Sequence, residues 1–189
     1  MIRMHKAISG LLLLVAVLAM ACAPGIASSA PELPGGPVRI SEEAAKRLDD
    51  KMTQALQQNP SGRFTLSVTD EEFSSWVAFR VANEPEAMIT DPQVRFTQGK
   101  IFGAVTLKGV LPFDLRTILE ANVKIVDDRV VFQIQKSTVG PFPAPGFVRD
   151  ALSKTINDTL LEAQLDVQVT SIDIRESEIV IAGQLRNSQ

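Results

Sequence analysis

The chain has no tyrosine, and only one cysteine, one histidine and one tryptophan among its 189 residues. The cysteine is Cys22 and the histidine is His5, both near the N-terminus. Everything after Cys22 therefore lacks imidazole and thiol. That removes Ser-His-Asp and Cys-His catalysis, and with it the nitrogen and sulfur ligands of zinc-type sites. A single cysteine forms no disulfide within the chain. No basic block is present, so nucleic acid is not an expected partner. Carboxylate chemistry survives these exclusions, but no pair of acids stands at a spacing that predicts it. The sequence reads as a non-enzyme, with no cofactor and no metal site expected.

What is present begins with a leader. Arg3 and Lys6 precede an apolar run from Leu11 to Ala21. The run is shorter than the roughly 20 residues of a membrane span, and small residues close it, as in a secretory signal. Leu18-Ala19-Met20-Ala21-Cys22 resembles a bacterial lipobox, in which the cysteine thiol receives a diacylglycerol and becomes the mature N-terminus. The resemblance implies a signal peptide over 1–21 and lipidation at Cys22. It implies an extracytoplasmic chain, anchored to a bacterial membrane by acyl chains. Each buried methylene adds about 0.8 kcal/mol, and two or more chains anchor durably. Cleavage removes two basic residues and no acid, leaving 168 residues with 17 basic and 22 acidic, a net charge of −5. That length suits one domain with a real core.

Residues 22–39 are expected to be a flexible tether, since Ala23 to Pro37 is rich in alanine, proline, glycine and serine without periodicity. Residues 40–189 are expected to form one α+β domain. Ser41 is a helix N-cap with Glu42 and Glu43 behind it, and Ala45, Leu48, Met52, Ala55 and Leu56 make a helical stripe. Asn59-Pro60-Ser61-Gly62 ends that helix, and Phe64, Leu66 and Val68 alternate as a strand. Thr69-Asp70-Glu71-Glu72 is a capping box that opens a second helix with Phe73, Trp76, Val77 and Phe79. Ala82 to Pro92 reads as a loop. Four meandering strands follow, turning at Gln98-Gly99 and Asp127-Asp128. A stiff connector, Gly140 to Gly146, leads into an amphipathic helix with Phe147, Val148, Ala151, Leu152, Ile156 and Leu160. Leu165, Val167 and Val169 fall out of phase with Ile172 and Ile174, which predicts a bulge near Thr170-Ser171. Glu176-Ser177 then turns the chain into a last strand with Ile179 and Ile181.

From Ser41 to Gly183 the layout resembles the LmeA-like and YpmS-like envelope proteins, which are similar in turn to the tubular lipid-binding superfamily. The features that carry the resemblance are Thr69-Asp70-Glu71-Glu72-Phe73, the hairpin Val94 to Leu111 and the acidic turn Asp127-Asp128. To these add Gly140-Pro141-Phe142-Pro143-Ala144-Pro145 before the helix holding Asn157, and the ending Val169 to Gly183. The resemblance implies a strongly curved antiparallel meander packed on two to three helices, with an apolar groove that accepts acyl chains. A lipobox departs from the family in anchoring only. Asp127-Asp128 also stands where the family has Asp-Gly.

The groove candidates are Phe79, Phe142, Phe147, Val148, Leu152 and Ile156. For the helical stripe, core packing against the chain's own sheet is the competing explanation. Phe73 and Trp76 share a face and belong to the core. Phe79 is offset toward a groove mouth. Phe142 lies between two prolines, either as a staple at the helix start or as an exposed aromatic for a bilayer or pocket. The expected function is to bind or pass a lipid or other hydrophobic ligand. The alternative is a scaffold lipoprotein of the cell envelope that contacts a protein partner through a sheet edge or its acidic surface.

Overall fold

Ser41 and Thr69 start the first two helices through their own side chains. Ser41 Oγ accepts from the Ala44 amide at 3.2 Å. Thr69 Oγ1 accepts from Glu72 N at 3.2 Å, and the Glu72 carboxylate accepts from Thr69 N at 3.1 Å, closing the capping box. A computed structural model describes residues 32–57, 62–83, 89–108, 114–140, 142–146, 149–150, 153–154, 156–158 and 167–186. The elements are α1 (Glu42–Gln57), β1 (Arg63–Thr69), α2 (Asp70–Ala82), β2 (Ile89–Thr97), β3 (Lys100–Leu107), β4 (Leu115–Val126), β5 (Arg129–Val139), β6 (Phe142–Pro143), β7 (Val167–Arg175) and β8 (Glu178–Leu185). Helical backbone at 146, 149–150, 153–154 and 156–158 marks a third helix.

The fold is α+β with antiparallel pairing throughout, but it has two sheets where the sequence suggested one. A five-stranded sheet runs in the order β2-β3-β4-β5-β6, and a three-stranded sheet runs β1-β8-β7. Strand β1 pairs with β8, Leu66 opposite Ile181, so strands from the two ends of the described fold close the second sheet. Nothing local to β1 specifies that partner, which explains why periodicity missed it.

The turns follow the expected chemistry. Gln98 and Gly99 have φ of +38° and +84°, and Asp127 and Asp128 have +51° and +61°. Two successive positive φ values give the turn a twist that matches its flanking strands. Asp reaches this region more readily than most residues because its short polar side chain bonds locally. The bulge expected near Thr170-Ser171 is present: Val169 faces Gly183 and Ser171 faces Ala182, leaving Thr170 over. A second bulge was not foreseen. Glu120 faces Lys136 and Ala121 faces Ile134, so Gln135 is the extra residue in β5.

Two boundaries differ from expectation. Strand β2 begins at Ile89, within the stretch read as loop, and passes through Pro92. Its register breaks between Thr90 and Gln93, with Asp91 at φ +50°, so the proline sits where no ladder bond is asked of it. The folded unit also starts earlier than residue 40. Leu33 and Val38 are buried, and the Val38 amide donates to Gln93 Oε1 at 3.1 Å.

The core forms where the two sheets and the first two helices meet. Leu48, Val68, Phe96, Ile101 and Ile179 are buried, with Met52, Leu66, Phe73, Trp76, Val123, Phe132, Ile172 and Ile174 packed around them. Phe73 lies 6.0 Å from Phe96 and 6.3 Å from Trp76 between ring centres. Phe73 and Trp76 thus serve the core, as their spacing predicted.

Both outer strands of the four-stranded meander are capped, β2 by side chains and a turn amide, and β5 by a side chain and the two-residue strand β6. On β2, Ser74 Oγ accepts from Val94 N at 2.8 Å and donates to Val94 O at 3.0 Å. Phe96 N donates to Asp70 Oδ1 at 2.7 Å, and Ser177 N donates to Phe96 O at 2.9 Å. On β5, Asn157 accepts from Phe132 N at 2.8 Å and donates to Phe132 O at 3.0 Å. Strand β6 covers Thr138 and Val139. Capping of this kind removes a template for edge-to-edge aggregation.

Candidate functional site

The meander presents one apolar face, and that face divides into two halves. Nearer the Gln98-Gly99 and Asp127-Asp128 turns, the cross-strand row Phe96–Ile101–Ala121–Ile134 is buried in the core. At the opposite end the same face carries further rows. Gly103 pairs with Leu119, which pairs with Ser137. Val105 pairs with Thr117, which pairs with Val139, and Leu107 pairs with Leu115. Val105, Leu107, Leu115, Leu119 and Val139 are only half-buried, and none belongs to the core cluster of the described residues. They form a second apolar strip, separate from the packed core.

Gly103 deepens this strip. A Cβ there would stand 3.1 Å from Leu119 Cδ1, so the missing side chain lets Leu119 lie down across β3. Two polar side chains interrupt the strip. Thr117 is 1% exposed and Ser137 is 8% exposed, and neither hydroxyl has a hydrogen-bond partner among the described residues. The opposite face of the meander carries charged pairs beside Phe102, Ala104 and Ile118. Glu120 receives Lys100 Nζ at 2.6 Å and Lys136 Nζ at 3.4 Å, and Arg116 reaches Asp91 at 2.6 Å. The lysine hydrogen bond and charge hold the Glu120 carboxyl below its ordinary range.

The groove candidates are not all brought together. Ile156 is half-buried on the third helix, whose Asn157 is tied to β5. Phe142 pairs with Val139 through β6 and is 71% exposed, so it does not act as a staple buried at the helix start. Phe79 is exposed on α2, which lies along β2, so Phe79 and Phe142 stand at opposite edges of the meander and do not frame one mouth. Phe147, Val148 and Leu152 lie outside the described residues, as do Cys22, the signal sequence and the tether up to residue 31. Thr117, Ser137 and the strip around them were not singled out from sequence. Val105 and Leu107 alternate along the sequence, but alternation does not say that this half of the face lies beyond the core.

Among the described residues, two open clefts of mixed polarity are also present. One of 370 Å³ lies between α1 and β1, lined by Lys51, Gln54, Ala55, Thr65, Leu66 and Ser67. Lys51 spans it, donating to Ser67 O at 3.0 Å and to Glu72 at 2.7 Å. Burial works to raise the Glu72 carboxyl, but Lys51 and the Thr69 amide outweigh it and hold the group below its ordinary range. The second cleft, of 380 Å³, is bordered by Val38, Arg39, Asp70, Arg95 and Ser177. Asp70 Oδ2 accepts from Arg95 Nη1 at 3.1 Å there, and burial raises the Asp70 carboxyl despite that pairing. Lys51, Glu72, Asp70 and Arg95 at these clefts hold segments of the chain together. Among the described residues, no cluster of His, Cys, Asp and Glu is arranged to hold a metal ion, and no helix is long and apolar enough to cross a membrane.

Comparison with known protein families, curated proteins and solved structures finds no match to this chain.

Proposed function

We propose that this chain is an extracytoplasmic lipoprotein, anchored through Cys22, whose folded unit binds or passes a lipid in an apolar groove. The observation that carries the reading is the second apolar strip, Val105, Leu107, Leu115, Leu119 and Val139, lying outside the core cluster. Aliphatic side chains that are neither core nor solvated face suit a hydrocarbon chain as their cover. At about 25 cal/mol per Å², a few hundred Å² of such contact supplies several kcal/mol before ordering costs. The groove would lie between this strip and the third helix. The bulges in β2 and β5 are the devices that bend a sheet toward the strong curvature such a groove needs.

The anchor and the folded unit are close in sequence. Buried Leu33 stands eleven positions after Cys22, a reach of at most roughly 40 Å. The domain would work near the bilayer surface, where exposed Phe142 supplies an apolar contact. This mechanism needs no nucleophile or metal.

Two measurements test the reading. Growth of the bacterial host with an alkyne-bearing fatty acid should label the protein, and Cys22→Ser should abolish the label. Native mass spectrometry of the Cys22→Ser protein should find co-purifying acyl lipid. A ligand-free mass together with no uptake of a fluorescent fatty acid would reject lipid binding. The scaffold alternative would contact a partner through a sheet edge or the acidic surface, and a ligand-free protein recovered with an envelope partner would favour it.

A further inference from the structure

We propose that the Thr117 and Ser137 hydroxyls form a polar subsite within the apolar strip, which holds the carbonyl oxygen of an acyl ester. The inference rests on the lipid-binding reading above and names the part of the ligand that the strip recognises.

A buried hydroxyl without a partner is costly, and such groups are rare in folded proteins. Here two occur on neighbouring strands and on one face. Thr117 sits opposite Val139, and Ser137 sits opposite Leu119, so the two are diagonal neighbours. Diagonal residues lie about 7–8 Å apart at the backbone, within reach of a shared small group placed between their side chains. Both are shut away from water, at 1% and 8% exposure. Valine and alanine would fill these positions without leaving any donor unsatisfied. A third unpartnered hydroxyl, Thr138, pairs with Ile118 on the opposite face and takes no part.

The chemistry of the missing partner follows from what the hydroxyls offer. Each donates one hydrogen bond, so a ligand atom that accepts without donating satisfies both. The residues sharing this face around them are Gly103, Val105, Leu107, Leu115, Leu119 and Val139. None is charged. Arg116, the nearest cation in sequence, pairs with Thr106 on the other face and is engaged by Asp91. A carboxylate would enter with its charge unmatched. A neutral ester carbonyl brings an acceptor and no charge, with its hydrocarbon chain free to lie along the strip.

The test uses the Cys22→Ser full chain and two fluorescent probes, a pyrenyl fatty-acid methyl ester and the pyrenyl alkane of equal length. The parent should bind the ester roughly thirtyfold more tightly, the worth of two net hydrogen bonds. The double variant Thr117→Val/Ser137→Ala should bind the two probes equally, keep the parent's alkane affinity and melt higher. An ester preference that survives the double variant overturns the subsite while leaving the groove intact. If the parent binds neither probe, the groove reading falls and the subsite falls with it. Should the double variant fail to fold, each single substitution reads the same preference, and an undiminished preference in both overturns the proposal.

Discussion

Arg95 and Asp70 join at 3.1 Å where four segments of the chain converge. Arg95 Nη2 donates to the Gly36 carbonyl at 3.0 Å, fastening the N-terminal segment. Asp70 opens α2, accepts from Phe96 N in β2 and stands beside Ser177 in the β7–β8 turn. One partly desolvated pair therefore ties the approach to the domain, a helix and both sheets together.

Arg95→Met is expected to cost about 3 kcal/mol, because it leaves a buried carboxylate without its counter-ion. Hydrogen exchange over residues 33–38 should speed up in the variant. The pH dependence has a definite sign. Burial raises the Asp70 carboxyl, so the stability of its neutral form is present at low pH and is lost as pH rises through the raised value. The gap between variant and parent should narrow as pH falls toward that value. Urea titrations at neutral and acidic pH check this, and a gap that widens on acidification would contradict the assignment.

Glu72 behaves in the opposite sense. Its carboxyl is held below the ordinary value of 4.5, so its stabilisation is complete above that value and is lost as pH falls through the lowered one. Glu72→Gln should destabilise the protein at neutral pH by about 1.5–3 kcal/mol. It should also flatten the acid limb of the stability profile, which thermal melts from pH 3 to 7 would report.

Asn157→Ala leaves the Phe132 amide and carbonyl without their side-chain partners. The expected cost is about 1–3 kcal/mol. Amide exchange at Phe132 should accelerate while the opposite edge, at Val94, keeps its protection. Equal acceleration at both edges would mean that the whole sheet loosens rather than one cap.

Two glycines separate the fold from the proposed groove. A Cβ at Gly183 meets the Gln168 carbonyl oxygen at 2.5 Å and Phe64 Cζ at 2.8 Å. Backbone cannot yield as a side chain can, so Gly183→Ala should cost about 3 kcal/mol or more. At Gly103 the close neighbour is the Leu119 side chain, which can move. Gly103→Ala should cost about 1 kcal/mol and push Leu119 off β3. Uptake of a fluorescent fatty acid should then fall in a protein that melts nearly as the parent does.

Phe142→Ser should leave the melting temperature unchanged, since the ring is 71% exposed and adds little to the core. On vesicles carrying the lipidated protein, an environment-sensitive label at Phe142→Cys should be quenched by nitroxide lipids. A label at Glu43→Cys on α1 supplies the comparison, and equal quenching at both positions would remove the bilayer contact from the account.

Much of the local structure was legible. The capping residues Ser41 and Thr69 and the turns at Gln98-Gly99 and Asp127-Asp128 act over a few residues, so their side chains and φ preferences suffice to read them. The phase slip before Ile172 similarly exposed the bulge at Thr170. Strand β2 was misread at its start because Pro92 signals a break, and only the register shift beside it explains how a strand runs through. The extra residue Gln135 left the alternation of Val130, Phe132 and Ile134 undisturbed and gave no sign.

The sequence by itself determined the exclusions and the local grammar. Without histidine or thiol beyond Cys22, whole classes of chemistry are absent whatever the fold. Tertiary structure alone decided that β1 pairs with β8, that Ser74 and Asn157 cap the meander's edges, and that one apolar face divides into core and strip. Those outcomes depend on contacts between residues that are distant along the chain. Hydrophobic periodicity says which side of a strand avoids water; it does not say what covers that side.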